Sequence, residues 1–94
     1  SRANPQKLFL PVTIDPELHL RGIRVEDALP MLEGYLAQAF RIGLPFARII
    51  HGKGTGVMRR VVREMLAASP LVRSYESAPP EQGGEGVTVA TLAV

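Results

Sequence analysis

Residues 46–66 read without interruption as a strand, a glycine loop and a helix. Phe46-Ala-Arg-Ile-Ile50 is a short apolar run that follows Pro45 and ends at His51, the pattern of a central strand with little exposed surface. Gly52-Lys53-Gly54-Thr55-Gly56 comes next, and then Val57, Met58, Val61, Val62, Met65 and Leu66 recur at helical spacing until Ser69-Pro70 stops them. A strand that feeds straight into a helix cannot close a hairpin with the next strand. It commits the chain to crossover connections, and so to an α/β fold.

The flanking segments repeat the theme. Leu18 and Leu20 alternate with Glu17, His19 and Arg21 in a short strand that Gly22 ends. Val25, Ala28, Leu29, Leu32, Leu36, Ala39 and Phe40 then mark one face of an amphipathic helix, closed by Gly43 and Pro45. Pro30 conflicts with a helix that starts at Val25. Either Asp27 is the N-cap and Pro30 falls in the first turn, or the first turn is distorted. Val72 to Ser77 reads as a third strand, Pro79 to Gly86 as a mobile loop, and Val87 to Val94 as a last, β-branched strand. The expectation is a two-layer β-α-β-α-β-β sandwich, in which a four-stranded mixed sheet carries two helices on one face. The two βα units imply parallel strands and the last pair is antiparallel. Residues 1–16 read as an N-terminal tail or linker and residues 17–94 as the domain.

At 94 residues and 46% hydrophobic, the chain supports one globular core. It has no cysteine, which excludes disulfides and thiolate metal sites. No apolar run approaches the roughly 18 residues of a membrane span. It opens Ser-Arg-Ala, with no initiator Met and no signal peptide, so a segment of a longer cytoplasmic protein is expected. Net charge is only +2, but no Asp or Glu occurs between Glu33 and Glu64, an interval that holds Arg41, Arg48, Lys53, Arg59, Arg60 and Arg63. Basic charge gathered in this way is the footprint of an anion-binding face.

The glycine loop resembles a phosphate cradle, and spacing narrows what kind. It lacks the GxxxxGK[ST] of a Walker A loop, and at GxGxG it is one residue short of the dinucleotide fingerprint. Glu76 stands where a ribose-binding acid would, but the loop follows the second strand of a chain too short for a double nucleotide-binding unit. What remains is a strand-to-helix loop whose free N–H groups and helix dipole favour an anion. The helix start then breaks a rule, since Arg59, Arg60 and Arg63 fill its first two turns and no acid appears before Glu64. Cations there oppose the dipole at a cost on the order of a few tenths of a kcal/mol each, and a bound phosphate reverses that cost. Gly52, Lys53, Gly54, Thr55, Gly56, Arg59, Arg60 and Arg63 are therefore the candidate nucleic-acid contacts. If the first two strands are neighbours, His19 and Arg21 lie beside His51 at one edge, and two histidines there could share the proton transfers of phosphodiester cleavage. No carboxylate clearly joins them, so no metal site is assigned.

Three motifs resemble one family. Leu18-His19-Leu20-Arg21-Gly22, His51-Gly52-Lys53-Gly54-Thr55-Gly56 and Gly86-Val87-Thr88-Val89 are similar, in this order, to the signatures of the Smr (small MutS-related) domain. The chain resembles especially the version at the C-terminus of a bacterial MutS paralogue that acts against recombination. The resemblance implies a sandwich like the C-terminal domain of translation initiation factor three. It also implies nucleic-acid binding and, in many members, endonuclease or nicking activity. No cofactor is implied for the domain itself. ATP belongs to the parent's ATPase region, and use of a divalent metal stays open. The implied partners are duplex or branched DNA, with ribosomal RNA as the alternative, and the parent is expected to dimerise through regions outside this chain. One departure stands out: the family usually has Asp where this chain has His19. Either His19 takes over proton transfer, or Glu17 or Asp15 supplies the carboxylate, or the domain binds and barely cuts.

Three functions compete. In the first, a sequence-nonspecific nicking endonuclease, His51 and His19 transfer protons while Arg21, Lys53 and Arg59 stabilise phosphorane charge. In the second, a binding module docks the parent on DNA or on stalled ribosomes without chemistry. In the third, a protein-interaction domain, the loop is only a turn. With no Trp and 5% aromatics, stacking on single strands is not the expected mode.

Overall fold

The computed structural model describes residues 14–94. The element order is β1 (Glu17–His19), α1 (Val25–Arg41), β2 (Phe46–Ile50), α2 (Val57–Ala68), β3 (Val72–Ser77) and β4 (Val87–Leu92). The four strands form one sheet in the order β1-β2-β4-β3. β1 runs parallel to β2, and β4 lies antiparallel to both of its neighbours. The last strand has thus been inserted between β2 and β3, which keeps those two parallel but not adjacent. The four-stranded mixed sheet with two helices is the architecture that the alternation of periods implied.

Register explains how one face is buried. Leu18 lies opposite Ile49, Ile49 opposite Thr88, and Ala47 opposite Ala90. Those residues point into the layer of the helices, where Leu32, Leu36 and Ala39 of α1 and Val62 and Leu66 of α2 complete the core. Successive strand residues face opposite ways. Glu17, His19, Arg48, Ile50, Val89 and Thr91 therefore line the other face, here called the open face, and all of them keep some solvent exposure.

Several local details differ from the sequence reading. The first strand is only three residues long, because the chain turns at Arg21 and Gly22 and the Ile23 amide bonds back to the carbonyl of Leu20, itself 1% exposed. α1 starts at Val25, with Arg24 as N-cap and with the amides of Asp27 and Ala28 bonded to the Arg24 carbonyl. Asp27 is therefore inside the first turn rather than its cap, and Pro30 is accommodated within the helix. Tyr35, omitted from the apolar face, is buried and donates its hydroxyl to the Asp15 carbonyl at 2.6 Å, whereas Phe40 lies at the rim and is exposed. The stretch read as a loop holds two single 3-10 turns, Pro80–Gln82 and Gly84–Gly86. Of the N-terminal tail, residues 1–13 lie outside the described residues. Ile14 packs on the core, and the Pro16 carbonyl accepts the Arg48 amide at 2.8 Å.

Candidate nucleic-acid interface

The glycine loop crosses from the end of β2 to the start of α2, above the sheet edge where β1 also ends. Gly52, Gly54 and Gly56 all take left-handed conformations, with φ of 79°, 43° and 88°. A residue with a Cβ resists that region, which accounts for three glycines in five positions. Gly56 is the N-cap of α2 and offers no side-chain cap. Among the described residues, the amides of Lys53, Gly54 and Thr55 meet no backbone acceptor. The loop is anchored at its start, where the amides of His51 and Gly52 both donate to the Gly86 carbonyl at 3.1 and 2.9 Å.

His51 belongs to that anchor. It is 6% exposed, and both ring nitrogens are engaged at 2.8 Å, Nδ1 with the Gly52 carbonyl and Nε2 with the Thr88 hydroxyl. A carbonyl oxygen only accepts, so Nδ1 carries the proton and Nε2 receives the bond from Thr88. Burial is the main force holding the pKa of His51 below its ordinary 6.5. The Gly52 bond and Glu85 oppose that effect, and Arg63 and Arg59 reinforce it. The ring is therefore neutral at neutral pH and faces the helix layer.

His19 lies on the other side of the sheet. It pairs in register with Ile50, on the open face, and its side chain is 65% exposed. Its Nε2 stands 3.5 Å from a carboxylate oxygen of Glu17, whose other oxygen accepts from Arg48 Nε at 3.0 Å. The two histidines end neighbouring strands, as the sequence suggested, but β-strand alternation sends them to opposite faces. They do not share one cleft. Arg21 continues the open-face side of β1, and its side chain lies against Gly52, where an added Cβ would come within 3.4 Å of it. Arg21, Arg48, Lys53, Gly52 and Gly54 line an open-face cavity of about 490 Å³.

The α2 arginines look the other way, into a groove of about 720 Å³ between α2 and β3. The basic interval is less free of acid than its sequence implied. Glu17 pairs with Arg48, Glu64 with Arg60, and Glu85 with Arg59, the last at close range. Arg63 does not project to solvent as expected. It lies 5.7 Å over the Tyr75 ring and donates from Nη2 to Ser77 at 2.6 Å. Among the described residues, Arg21 and Lys53 meet no carboxylate within ion-pair distance, and no group of three His, Asp or Glu side chains converges as a metal cage.

Thr88 and Glu85 had no part in the sequence reading of the site. Thr88 sat inside the glycine-then-strand motif, but pairing between β2 and β4 is what brings it to His51. Glu85 sits in a segment read as loop, and no local pattern connects it to an arginine 26 residues away.

The Smr domain family model matches residues 18–93. Endonuclease MutS2 of Thermomicrobium roseum is 52% identical over 81 residues, covering 86% of this chain and 10% of that protein. Endonuclease MutS2 of Thermus thermophilus is 45% identical over 76 residues, covering 81% of this chain and 10% of the relative. The chain spans about a tenth of the length of these curated relatives. The crystal structure of the Smr domain of Thermus thermophilus MutS2 superposes with a TM-score of 0.81 at 44% identity, covering 83% of this chain and 98% of that one. YdaL, a stand-alone small MutS-related protein from Escherichia coli, superposes with a TM-score of 0.78 at 31% identity, covering 82% of this chain and 63% of that one.

Proposed function

The chain belongs to the Smr domain family, and from that premise we propose that it binds the phosphate backbone of nucleic acid and nicks it. Its substrate is branched or duplex DNA, cut without sequence preference, and its setting is a MutS-type protein that suppresses recombination. The observation that carries the reading is the glycine loop. Three left-handed glycines present the unengaged amides of Lys53, Gly54 and Thr55 next to Arg21 and Lys53, two cations with no carboxylate partner among the described residues. Such a surface fits a phosphodiester, with amides and cations placed to take the charge that builds up on the phosphoryl oxygens.

On the open face, His19 is the side chain available for proton transfer. A Glu17 carboxylate oxygen stands 3.5 Å from its Nε2, which leaves Nδ1 to take the proton. His19 takes a proton from the attacking water as the P–O bond forms, and the leaving oxygen draws its proton from solvent as the scissile bond breaks. Arg21 and Lys53 hold the phosphate. His51, whose nitrogens are both occupied, acts by fixing the loop.

The burial of His51 also favours a second reading, a non-catalytic module that docks the parent on DNA or on ribosomal RNA. One experiment separates the two. The chain is incubated with supercoiled plasmid, with and without divalent metal, as wild type and as His19→Asp, His19→Ala and His51→Ala, each checked for folding by circular dichroism. Nicking that falls by 10²-fold or more in His19→Ala and survives in His19→Asp supports the endonuclease. A His19→Ala protein that nicks like wild type removes His19 from the chemistry. Salt-dependent binding with no nicking in any sample leaves the docking module.

A further inference from the structure

The groove between α2 and β3 plays no part in the chemistry described above, yet three arginines of α2, Arg59, Arg60 and Arg63, line it. We infer that this groove is a second phosphate-binding subsite and that the Glu85 carboxylate occupies it in the free domain, as an internal competitor for nucleic-acid phosphate. The inference rests on the proposed binding to a phosphodiester backbone and adds its regulation.

The wiring supports it. One carboxylate oxygen of Glu85 bonds Arg59, and the other accepts from the Ser77 hydroxyl at 3.1 Å. Ser77 in turn accepts from Arg63 Nη2 at 2.6 Å. Glu85 thus sits where a tetrahedral anion would sit, bridging the arginines of one helix to a hydroxyl of the neighbouring strand. The arginines are held ready for more than this carboxylate offers. Arg63 is braced over Tyr75 and keeps its Nε buried with no acceptor, and Arg60 lines the groove while held only by an exposed contact to Glu64 at 3.5 Å. A phosphate brings more acceptor oxygens than a carboxylate and pairs with arginine in a fork.

Position and exposure agree. Glu85 lies in the 3-10 turn Gly84–Gly86, preceded by Gly83 and Gly84 at φ of 114° and 52°. Its pair with Arg59 is exposed, at 60% and 38%, and exposed pairs are weak and screened by salt. Thr55 and Gly56 belong to the wall of this groove, whereas Gly52, Lys53 and Gly54 belong to the open-face cavity. The glycine loop is therefore a ridge between two basic depressions. A backbone that crosses the ridge meets the open-face site on one side and the arginines behind Glu85 on the other.

The test compares wild type, Glu85→Gln, Arg63→Ala and the double variant for binding to a labelled DNA duplex by fluorescence anisotropy across a salt series. Glu81→Gln, an exposed acid in the neighbouring turn, controls for loss of charge alone. Glu85→Gln is expected to bind at least about fivefold more tightly than Glu81→Gln. It should also steepen the slope of log affinity against log salt by about 0.9 for each phosphate gained. Arg63→Ala added to Glu85→Gln should erase the gain. A Glu85→Gln protein no tighter than Glu81→Gln, or a gain that survives Arg63→Ala, overturns the subsite. Titration with tripolyphosphate, followed by NMR, separates this from the broader reading. If tripolyphosphate prefers Glu85→Gln over wild type while no variant binds duplex, the subsite stands and the nucleic-acid reading fails. If wild type binds duplex with a steep salt slope and Glu85→Gln changes neither probe, the reading stands and the subsite fails.

Discussion

Thr88 donates its hydroxyl to Nε2 of His51 across 2.8 Å, at a point where Thr88 is wholly buried. With Nδ1 given to the Gly52 carbonyl, the imidazole joins the root of the glycine loop to the central strand β4. The Gly86 carbonyl repeats the link by accepting from the amides of His51 and Gly52. Four hydrogen bonds therefore hold the loop's first residues, while its tip presents free amides. A loop built this way can bind an anion without first being ordered, which spares the entropy of closing on its ligand.

Thr88→Val should show what the bond contributes. The side chain keeps its shape, but a buried ring nitrogen loses its donor, and an orphaned buried polar group costs about 1–3 kcal/mol. Urea unfolding should show a lower midpoint with an unchanged slope. Thr88→Ser, which restores the hydroxyl, should recover most of the loss. A Thr88→Val protein as stable as wild type would show that the bond adds nothing to the fold.

Stability should fall on the acid side because of the same ring. Above the ordinary histidine pKa of 6.5, His51 is neutral in folded and unfolded chains and contributes no pH dependence. Burial lowers its folded pKa. As pH drops below 6.5, the unfolded chain takes up a proton that the native one refuses, so stability declines through that window. His51→Gln should flatten this limb in a series of thermal melts. On the alkaline side Tyr35 acts in the opposite sense. Burial first, then Asp15 and Glu17, push its hydroxyl up to about 12 from 10. Stability should therefore decline as pH rises between those values, and Tyr35→Phe should remove the decline.

The sequence shows some of this and hides the rest for physical reasons. Strands β2 and β3 were legible to the residue, and helix α2 to within its last two residues, because a glycine or proline stands within two residues of each border. His51, Lys53 and the three glycines were legible for the same reason, being contiguous. The side to which each group points was not. His19 and His51 look equivalent along the chain, and only the register His19 with Ile50 puts them on opposite faces. The acids that neutralise the arginines were hidden too. Glu17 and Glu85 lie 31 and 26 residues from their partners, and placing β4 between β2 and β3 is what brings Glu85 across.

Pro30 offers a test of the helix. It lies inside α1 and is exposed, where it removes one backbone donor and crowds the preceding turn. Against alanine, such a proline costs about 3 kcal/mol at most in a helix interior, less near the start and less again for the freedom proline takes from the unfolded chain. Pro30→Ala should raise the melting temperature by several degrees, at about 4–8 °C per kcal/mol for a domain of this size. An unchanged or lower value would mean that the proline fits the helix start without strain.

Gly52 couples the loop to Arg21, and alanine substitution separates that coupling from backbone strain. Gly52 at φ 79° and Gly43 at φ 79° have the same left-handed backbone, so Gly52→Ala and Gly43→Ala should lose stability alike, by about 1–2 kcal/mol. Their surroundings differ. A Cβ at Gly43 meets nothing within 4 Å, whereas one at Gly52 comes to 3.4 Å from both Cγ and Nε of Arg21. The Arg21 side chain then yields by at most a few tenths of an ångström within the cavity it shares with Lys53. Gly52→Ala should weaken duplex binding by less than Arg21→Ala does, while Gly43→Ala binds like wild type, with affinities measured well below each variant's melting temperature. Equal binding by the two alanine variants would show that Arg21 takes its position independently of the loop.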